Sequence, residues 1–247
     1  MTYLVSHLKN LVRPVELSRY YDEEIQAIRV NDRAIRRPFK VKVRPRRISQ
    51  ILAKRTLDIA LTLPALVVLS PIFLLVALII KSTSKGPVFF VQERIGIGGR
   101  SFKMYKFRSM VVNAEELKKA LSNENEKDGP IFKMKKDPRV TSIGRFIRRY
   151  SIDELPQLLN VLKGDMSLVG PRPPVPSEVA QYEAWQFERL SCLPGLTCIW
   201  QVSGRSDVSF EQWVRMDLDY IKTWNLGADV KLIFKTIGVV FSSRGAY

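Results

Sequence analysis

Leu155, Leu158, Leu159 and Leu162 recur at the i, i+3, i+4 and i+7 spacing of a single helix face, and Gly164 follows Lys163 where an ended helix favours a left-handed residue. The pattern predicts an amphipathic helix with a crowded start. With Ser151 as N-cap, Glu154 completes a capping box, but Pro156 falls at N5, where its ring and missing N–H disturb the first turn. With Asp153 as N-cap, the better fit, Pro156 lies at N3, whose N–H has no intrahelical partner. Either frame places two adjacent carboxylates at the positive end of a helix, beside backbone donors that suit a phosphate.

Upstream, Ile59 to Ile80 carries no charge over about the 20 residues of a membrane span. A spanning helix and a re-entrant hairpin both fit that length. Ser70 and Pro71 fall at its middle, where proline removes a helix hydrogen bond, and both flanks are basic, with Lys54 and Arg55 before and Lys81 and Lys85 after. Both ends are therefore drawn to the cytoplasm. A helix-break-helix hairpin that dips into one leaflet satisfies these facts if the backbone groups freed near Ser70 find partners. Asp58, near the boundary, is expected to pair with a neighbouring Lys or Arg, because an unpaired charge there is costly.

Pro87 to Glu93 and Ser101 to Phe107 flank GIGG (96 to 99) as a β-hairpin. GIGG lacks the Lys-Ser/Thr ending of a phosphate loop, so it reads as a plain turn. Ala114 to Leu121 predicts a short charged helix, and Ser122 to Gly129 a flexible loop of the kind that moves over a site. VELSRYYDEEIQAI (15 to 28) predicts a short helix, as does Glu178 to Leu190, with Val179, Tyr182, Trp185 and Phe187 as packing residues. Trp213, Tyr220, Ile221 and Trp224 mark another helical face, and ADVKLIFKTIGVVF (228 to 241) fits an interfacial helix turning Lys231 and Lys235 outward. The fold class is α+β and mainly helical, with a membrane helix that either spans or re-enters, a small β-hairpin and amphipathic interfacial helices. Three parts follow: a basic arm at 1–50, the membrane helix at 51–85, and a domain at 86–247 continuous with that helix.

Charge narrows the partners. The chain of 247 residues carries 40 basic against 24 acidic residues, which answers to nucleic acid, an anionic membrane or phosphorylated substrates. Arg29, Arg33, Arg36, Arg37, Lys40, Lys42, Arg44, Arg46, Arg47, Lys54 and Arg55 face only Asp32, and no aromatic interleaving accompanies them. Anionic membrane lipids are thus the expected partner, and nucleic acid is not. No apolar run precedes a small-residue cleavage site near the start, so no secretory signal is expected. Cys192 and Cys198 match no zinc or redox spacing, and His7 is the only histidine, so carboxylates must carry any acid, base or nucleophilic chemistry.

The chemistry concentrates in RRYSIDELPQLLNVLKGDMSLVGPRP (148 to 173), where Arg148 and Arg149 precede the Asp153-Glu154 pair and Pro171, Pro173 and Pro174 stiffen the backbone around Arg172. A fixed guanidinium suits a phosphate or a nucleotide edge. KDPRVTSIGRFIRRY (136 to 150) is expected to bring Arg139, Arg145, Arg148 and Arg149 towards the pair, and Lys106 and Arg108 are further candidates for phosphate or lipid headgroup.

These stretches, with KRTLD (54 to 58), KMYKFRSM (103 to 110), PGLTCIWQVSGR (194 to 205) and MDLDYIKTW (216 to 224), resemble the bacterial monotopic phosphoglycosyl transferases over about residues 51 to 247. One departure is Cys198, where that family's loop has glycine. The resemblance implies transfer of a sugar-1-phosphate from a UDP-sugar, UDP-glucose or UDP-galactose first, to undecaprenyl phosphate at the bacterial inner membrane. It implies a re-entrant membrane helix hairpin at 51–85 with a cytoplasmic catalytic domain at 86–247, Asp153 as nucleophile forming a phosphosugar adduct, Arg148 as phosphate ligand, Pro171-Arg172-Pro173 at the nucleotide, and Mg²⁺ held by Glu154 with Asp153. A polybasic membrane adaptor without catalysis is the alternative. Neither the sugar nor the oligomeric state, a homo-oligomer included, is legible.

Overall fold

The uncharged run folds as part of one helix, α1 (Ile48–Thr83), of 36 residues. The fold is that of a computed structural model, which describes residues 28–30, 33–35, 47–121, 124–126, 128–203 and 208–242. The helix expected at 15 to 28, most of the basic arm, parts of the loop at 122 to 129 and the end of the PGLTCIWQVSGR stretch lie outside the described residues or have only their backbone described. Ahead of α1, the strands β1 (Ile28–Val30) and β2 (Arg33–Ile35) pair antiparallel.

The helical assignment of α1 runs through Pro64 and Pro71 without interruption, so the chain has no break at Ser70-Pro71 of the kind the sequence predicts. The reason is local. Proline at 71 deprives the Val67 carbonyl of its i+4 donor, and the Ser70 hydroxyl supplies one at 2.7 Å. The middle of the helix is bare, with Val67 and Val68 each 73% exposed. Its two ends are not. Val76 and Ile80 pack with Phe107 and Ile147, while Ile51, Lys54, Arg55, Asp58 and Thr62 are buried near the other end.

That first end corrects three expectations. Lys54 is no headgroup contact: its ammonium pairs with Asp229 at 2.6 Å and donates to the Val169 carbonyl. Arg55 donates to the carbonyls of Val161 and Leu162, which are end-of-helix acceptors where a cation is favourable. The expected partners Lys54 and Arg55 act on Asp58 through their charges, though no salt bridge to it closes among the described residues. Its Oδ1 instead accepts from Ser167 Oγ and the Leu168 N–H, both at 2.9 Å.

The expected hairpin is present as β3 (Phe89–Ile95) and β4 (Ser101–Phe107), antiparallel, with Phe90 opposite Lys106 and Gln92 opposite Met104. GIGG is its turn, as expected. The helix expected at 114 to 121 is α2 (Ala114–Ala120), and α3 (Ser142–Arg149) follows with Thr141 as its N-cap. The leucine-patterned segment forms a 3₁₀ turn (Ile152–Gln157) and then α4 (Leu158–Lys163), closed by Gly164 at φ 81°. Asn160, fully buried, ties α4 to the hairpin: its Oδ1 accepts from the Tyr105 N–H and its Nδ2 donates to the Lys103 carbonyl.

β5 (Ser167–Val169) runs parallel to β6 (Gly195–Thr197). The two backbones approach so closely that a Cβ on Gly195 would stand 2.0 Å from the Gly170 nitrogen, which excludes any side chain there. Glu178 to Leu190 is not one helix. It forms α5 (Pro176–Val179) and a 3₁₀ segment (Ala184–Ser191), with the chain turning between them. Val179, Tyr182 and Phe187 still reach the main core, while Trp185 packs only at its margin. α6 (Ile199–Ser203) and α7 (Phe210–Thr223) follow, the latter burying Trp213, Tyr220 and Ile221 as expected. α8 (Leu226–Ser242) buries Asp229 and Leu232 and leaves Phe234 and Ile237 at 70% and 50% exposure.

Candidate active site

The Asp153-Glu154 pair caps no helix. Both carboxylates lie inside the 3₁₀ turn, and Ser151, in the left-handed region at φ 55°, makes no side-chain cap bond. Among the described residues it is the only non-glycine with positive φ, so backbone strain is stored two residues before Asp153. Pro156 explains the failure of both capping frames: the turn that holds it is tighter than an α-helix, and the α-helical ladder begins only at Leu158.

The tight turn lies against β4, and there Glu154 Oε1 meets Lys106 Nζ at 2.6 Å. Arg172 Nη1 approaches the same oxygen at 3.8 Å. These three residues, with Arg94, Pro173 and Gln201, line an open cleft. Asp153 does not line it. It sits beside it, 8% exposed, in the fields of Lys106, Glu154 and Arg148.

The adjacent carboxylates are pushed apart electrostatically. Burial raises Asp153 to about 6; Lys106 and Arg148 oppose the shift, and Glu154 adds to it. Burial acts upward on Glu154 as well, but there Lys106 and Arg172 outweigh it and hold the group at about 2. Lys106 is itself lowered by burial, with Glu154 working against the shift. The result is one fixed anion beside one carboxyl able to change charge near neutrality, surrounded by cations.

Arg172 is held by its own segment. Three of the four residues 171 to 174 are prolines, which donate no N–H, and all four carbonyls of the segment accept hydrogen bonds. Pro171 accepts from the Gly195 N–H at 2.9 Å, Arg172 from Arg189 Nη2 at 3.3 Å, Pro173 from Arg94 Nη1 at 2.8 Å, and Pro174 from the Ile95 N–H at 2.9 Å. The stiffness expected of Pro171-Arg172-Pro173 is thus secured from both sides.

Other candidates fall elsewhere. Arg108 is buried and donates to Ser84 Oγ and its carbonyl at 2.6 and 2.9 Å, clasping the end of α1 rather than entering the cleft. The strand ends at Phe107, so Arg108 no longer shares the face of Lys106. Arg139 is bound to Asp137 at 2.7 Å, and Arg145 and Arg149 are exposed on α3, so of the four arginines expected at the pair only Arg148 acts on Asp153. Cys198 replaces glycine without disturbing β6: its thiol is buried and donates to Gln201 Oε1 at 3.1 Å. Arg94, Gln157 and Gln201 line the cleft and were not singled out from the sequence. The signal for Arg94 was its alternation with Phe90 and Gln92, which puts it on the Lys106 face of the hairpin.

Comparison with known proteins places the chain in a family. The family model described as "Bacterial sugar transferase" matches residues 49–243. The chain is 46% identical over 199 residues to the galactosyl transferase CpsE of Streptococcus agalactiae, covering 80% of this chain and 44% of that protein. It is 43% identical over 240 residues to the undecaprenyl-phosphate galactose phosphotransferase of Salmonella typhimurium, covering 94% and 47%. Against the exopolysaccharide production protein ExoY of Rhizobium meliloti, identity is 43% over 200 residues, with 79% and 88% covered. The chain therefore spans less than half the length of the first two relatives and most of the third. A family match that takes in α1, the cleft and α8 alike identifies the chain as a member of the bacterial sugar transferase family.

Proposed function

We propose that the protein transfers a sugar-1-phosphate from a UDP-hexose, UDP-glucose or UDP-galactose, to undecaprenyl phosphate and releases UMP, as the first membrane step of a cell-surface polysaccharide. Relatives carrying the names undecaprenyl-phosphate galactose phosphotransferase and UDP-glucose:undecaprenyl-phosphate glucose-1-phosphate transferase support the reaction class. The observation that carries the assignment to this cleft is the contrast within the pair: Glu154 fixed as an anion by Lys106, and Asp153 next to it with a carboxyl raised to about 6.

In this reading an ionised Asp153 oxygen attacks the sugar-bearing phosphorus. The bond from that phosphorus to the UMP oxygen breaks, and UMP leaves with the bonding pair. A phosphate oxygen of the polyprenol then attacks the same phosphorus, and the acyl phosphate bond breaks to regenerate the carboxylate. Division into two displacements avoids holding two anionic substrates together. Arg148 steadies the transferred phosphate, Arg172 the nucleotide side, and Lys106 keeps Glu154 oriented.

The pair also fits a divalent cation. Mg²⁺ takes one or two carboxylates and completes its shell with water and substrate phosphates, and no group of three or more His, Cys, Asp or Glu stands together among the described residues. Glu154 and Asp153 would hold it, and when bound it supplies charge neutralisation at the diphosphate.

The anchor follows from α1. At about 1.5 Å per residue its 36 residues would reach about 54 Å if straight, well beyond a hydrocarbon core of about 30 Å. The contacts of both its ends with one body support a re-entrant path, with the catalytic domain on the cytoplasmic face and α8 at the membrane surface.

The test is UMP release in detergent from a panel of UDP-sugars, with Mg²⁺ and undecaprenyl phosphate, for the native chain and Asp153→Asn. Release that depends on lipid and metal and falls at least about 1,000-fold in the variant is expected for loss of a nucleophile. Normal turnover by Asp153→Asn would remove the nucleophile assignment, and no UMP from any sugar would leave a membrane adaptor as the better reading.

A further inference from the structure

Two buried arginines grip consecutive carbonyls of the proline segment, and they differ in one respect. Arg189 holds the Arg172 carbonyl and is neutralised within the protein: Asp217 accepts from its Nε at 2.9 Å and its Nη2 at 2.8 Å, with both side chains 1% exposed. Arg94 holds the Pro173 carbonyl, gives its other terminal nitrogen to Gln92 Oε1 at 2.6 Å, and is 6% exposed. It makes no salt bridge among the described residues, and its Nε has no hydrogen-bond partner. A buried guanidinium without its own carboxylate is costly unless a ligand completes it.

Arg94 lies on the wall of the cleft with Lys106 and Arg172, where Glu154 is the only acidic lining residue. Glu178 and Glu154 act on Arg94 without contacting it, and Asp153 acts on Lys106. The wall therefore offers an anion a buried guanidinium with no carboxylate in contact, and burial strengthens the attraction. We propose that Arg94 is a further donor-binding residue, which fixes Pro173 from behind and whose guanidinium is completed by the diphosphate of the nucleotide sugar. The proposal rests on the functional reading above. Arg189 is its internal control, since it does the same mechanical work on the neighbouring carbonyl with its charge already spent on Asp217.

The experiment is calorimetric binding of UDP to the full chain in detergent at several NaCl concentrations, for the native protein, Arg94→Gln and Arg94→Lys, with UMP release from the UDP-sugar measured beside it. Loss of one charge-assisted contact to phosphate predicts a Kd about 10- to 100-fold weaker in Arg94→Gln, with a shallower salt dependence. Arg94→Lys keeps the charge but not the two-pronged grip. It should retain the native salt dependence and bind about 3- to 10-fold more weakly than native. The kcat/KM for undecaprenyl phosphate, which in a double displacement reports only the second half-reaction, should stay unchanged in both, which a general loss of structure would not allow.

A native Kd and salt slope in Arg94→Gln overturn the proposal, as does a lysine variant as impaired as the glutamine one. Should Arg94→Gln show no cooperative thermal unfolding, Arg94→Lys decides alone, and an unchanged Kd for UDP rejects the proposal. Failure of the functional reading looks different: the native chain itself would bind no UDP and release no UMP.

Discussion

Asp153 and Glu154 are chemically alike and adjacent, and only their surroundings separate them. Asp153 is raised from 3.8 to about 6, so its protonated form favours the fold. That stabilisation is complete below about pH 3.8 and is lost as pH rises through 6, leaving the ionised group a burden at neutral pH of about 3 kcal/mol. Asp153→Asn should therefore raise the melting temperature at pH 8 and lose the advantage near pH 4, a crossing that thermal unfolding across that range would reveal. Activity runs the other way. If ionised Asp153 is the nucleophile, kcat/KM for the UDP-sugar should climb through about pH 6 to a plateau, and Glu154→Gln, by removing the neighbouring like charge, should move the climb to lower pH. Ser151 offers a separate test: glycine at its φ of 55° relieves about 1–2 kcal/mol of strain against a chain-entropy cost of about 0.5–1, so Ser151→Gly should gain up to about 1.5 kcal/mol in denaturant unfolding.

At the scale of elements, legibility followed how local each cause was. The hairpin could be read because its alternation and its Gly-rich turn lie within 20 residues, and Gly164 because a helix end needs only its own φ. Asp137 stands two residues before Arg139 and was there to be read, but Arg108 could not be placed, because an arginine's role depends on what the fold brings to it, here Ser84. The same holds for Arg94 and Asn160, whose partners lie far along the chain. The proline in α1 was recognised as a defect, but its repair by Ser70 needs a rotamer as well as a sequence. Cysteines introduced singly at Gln50 and Lys85 should both react with an impermeant thiol reagent from one face of sealed vesicles, while labelling from opposite faces would establish a span. Cys192 and Cys198 are buried, so the background from the native thiols should be low.

For the whole molecule, the proposed attachment to a membrane has two physically distinct sources. From Arg29 to Arg47 nine basic residues face one acid, half of the chain's net charge of +16, whereas Lys54 and Arg55 are spent inside the fold on Asp229 and on the carbonyls of α4. Each arm charge near an anionic leaflet is worth roughly 1 kcal/mol at low salt and is screened over about 10 Å at 0.1 M. Burial of the bare middle of α1 is not screened at all. A chain beginning at Gln50 should therefore still float with neutral vesicles and still release UMP in detergent, since the described contacts of the cleft all come from residues beyond 50. What it should lose is the difference between anionic and neutral vesicles, a difference that in the full chain shrinks as NaCl rises from 0.05 to 0.5 M, roughly a threefold fall in screening length. A truncated chain that stays soluble would mean that the arm, and not α1, carries the anchoring.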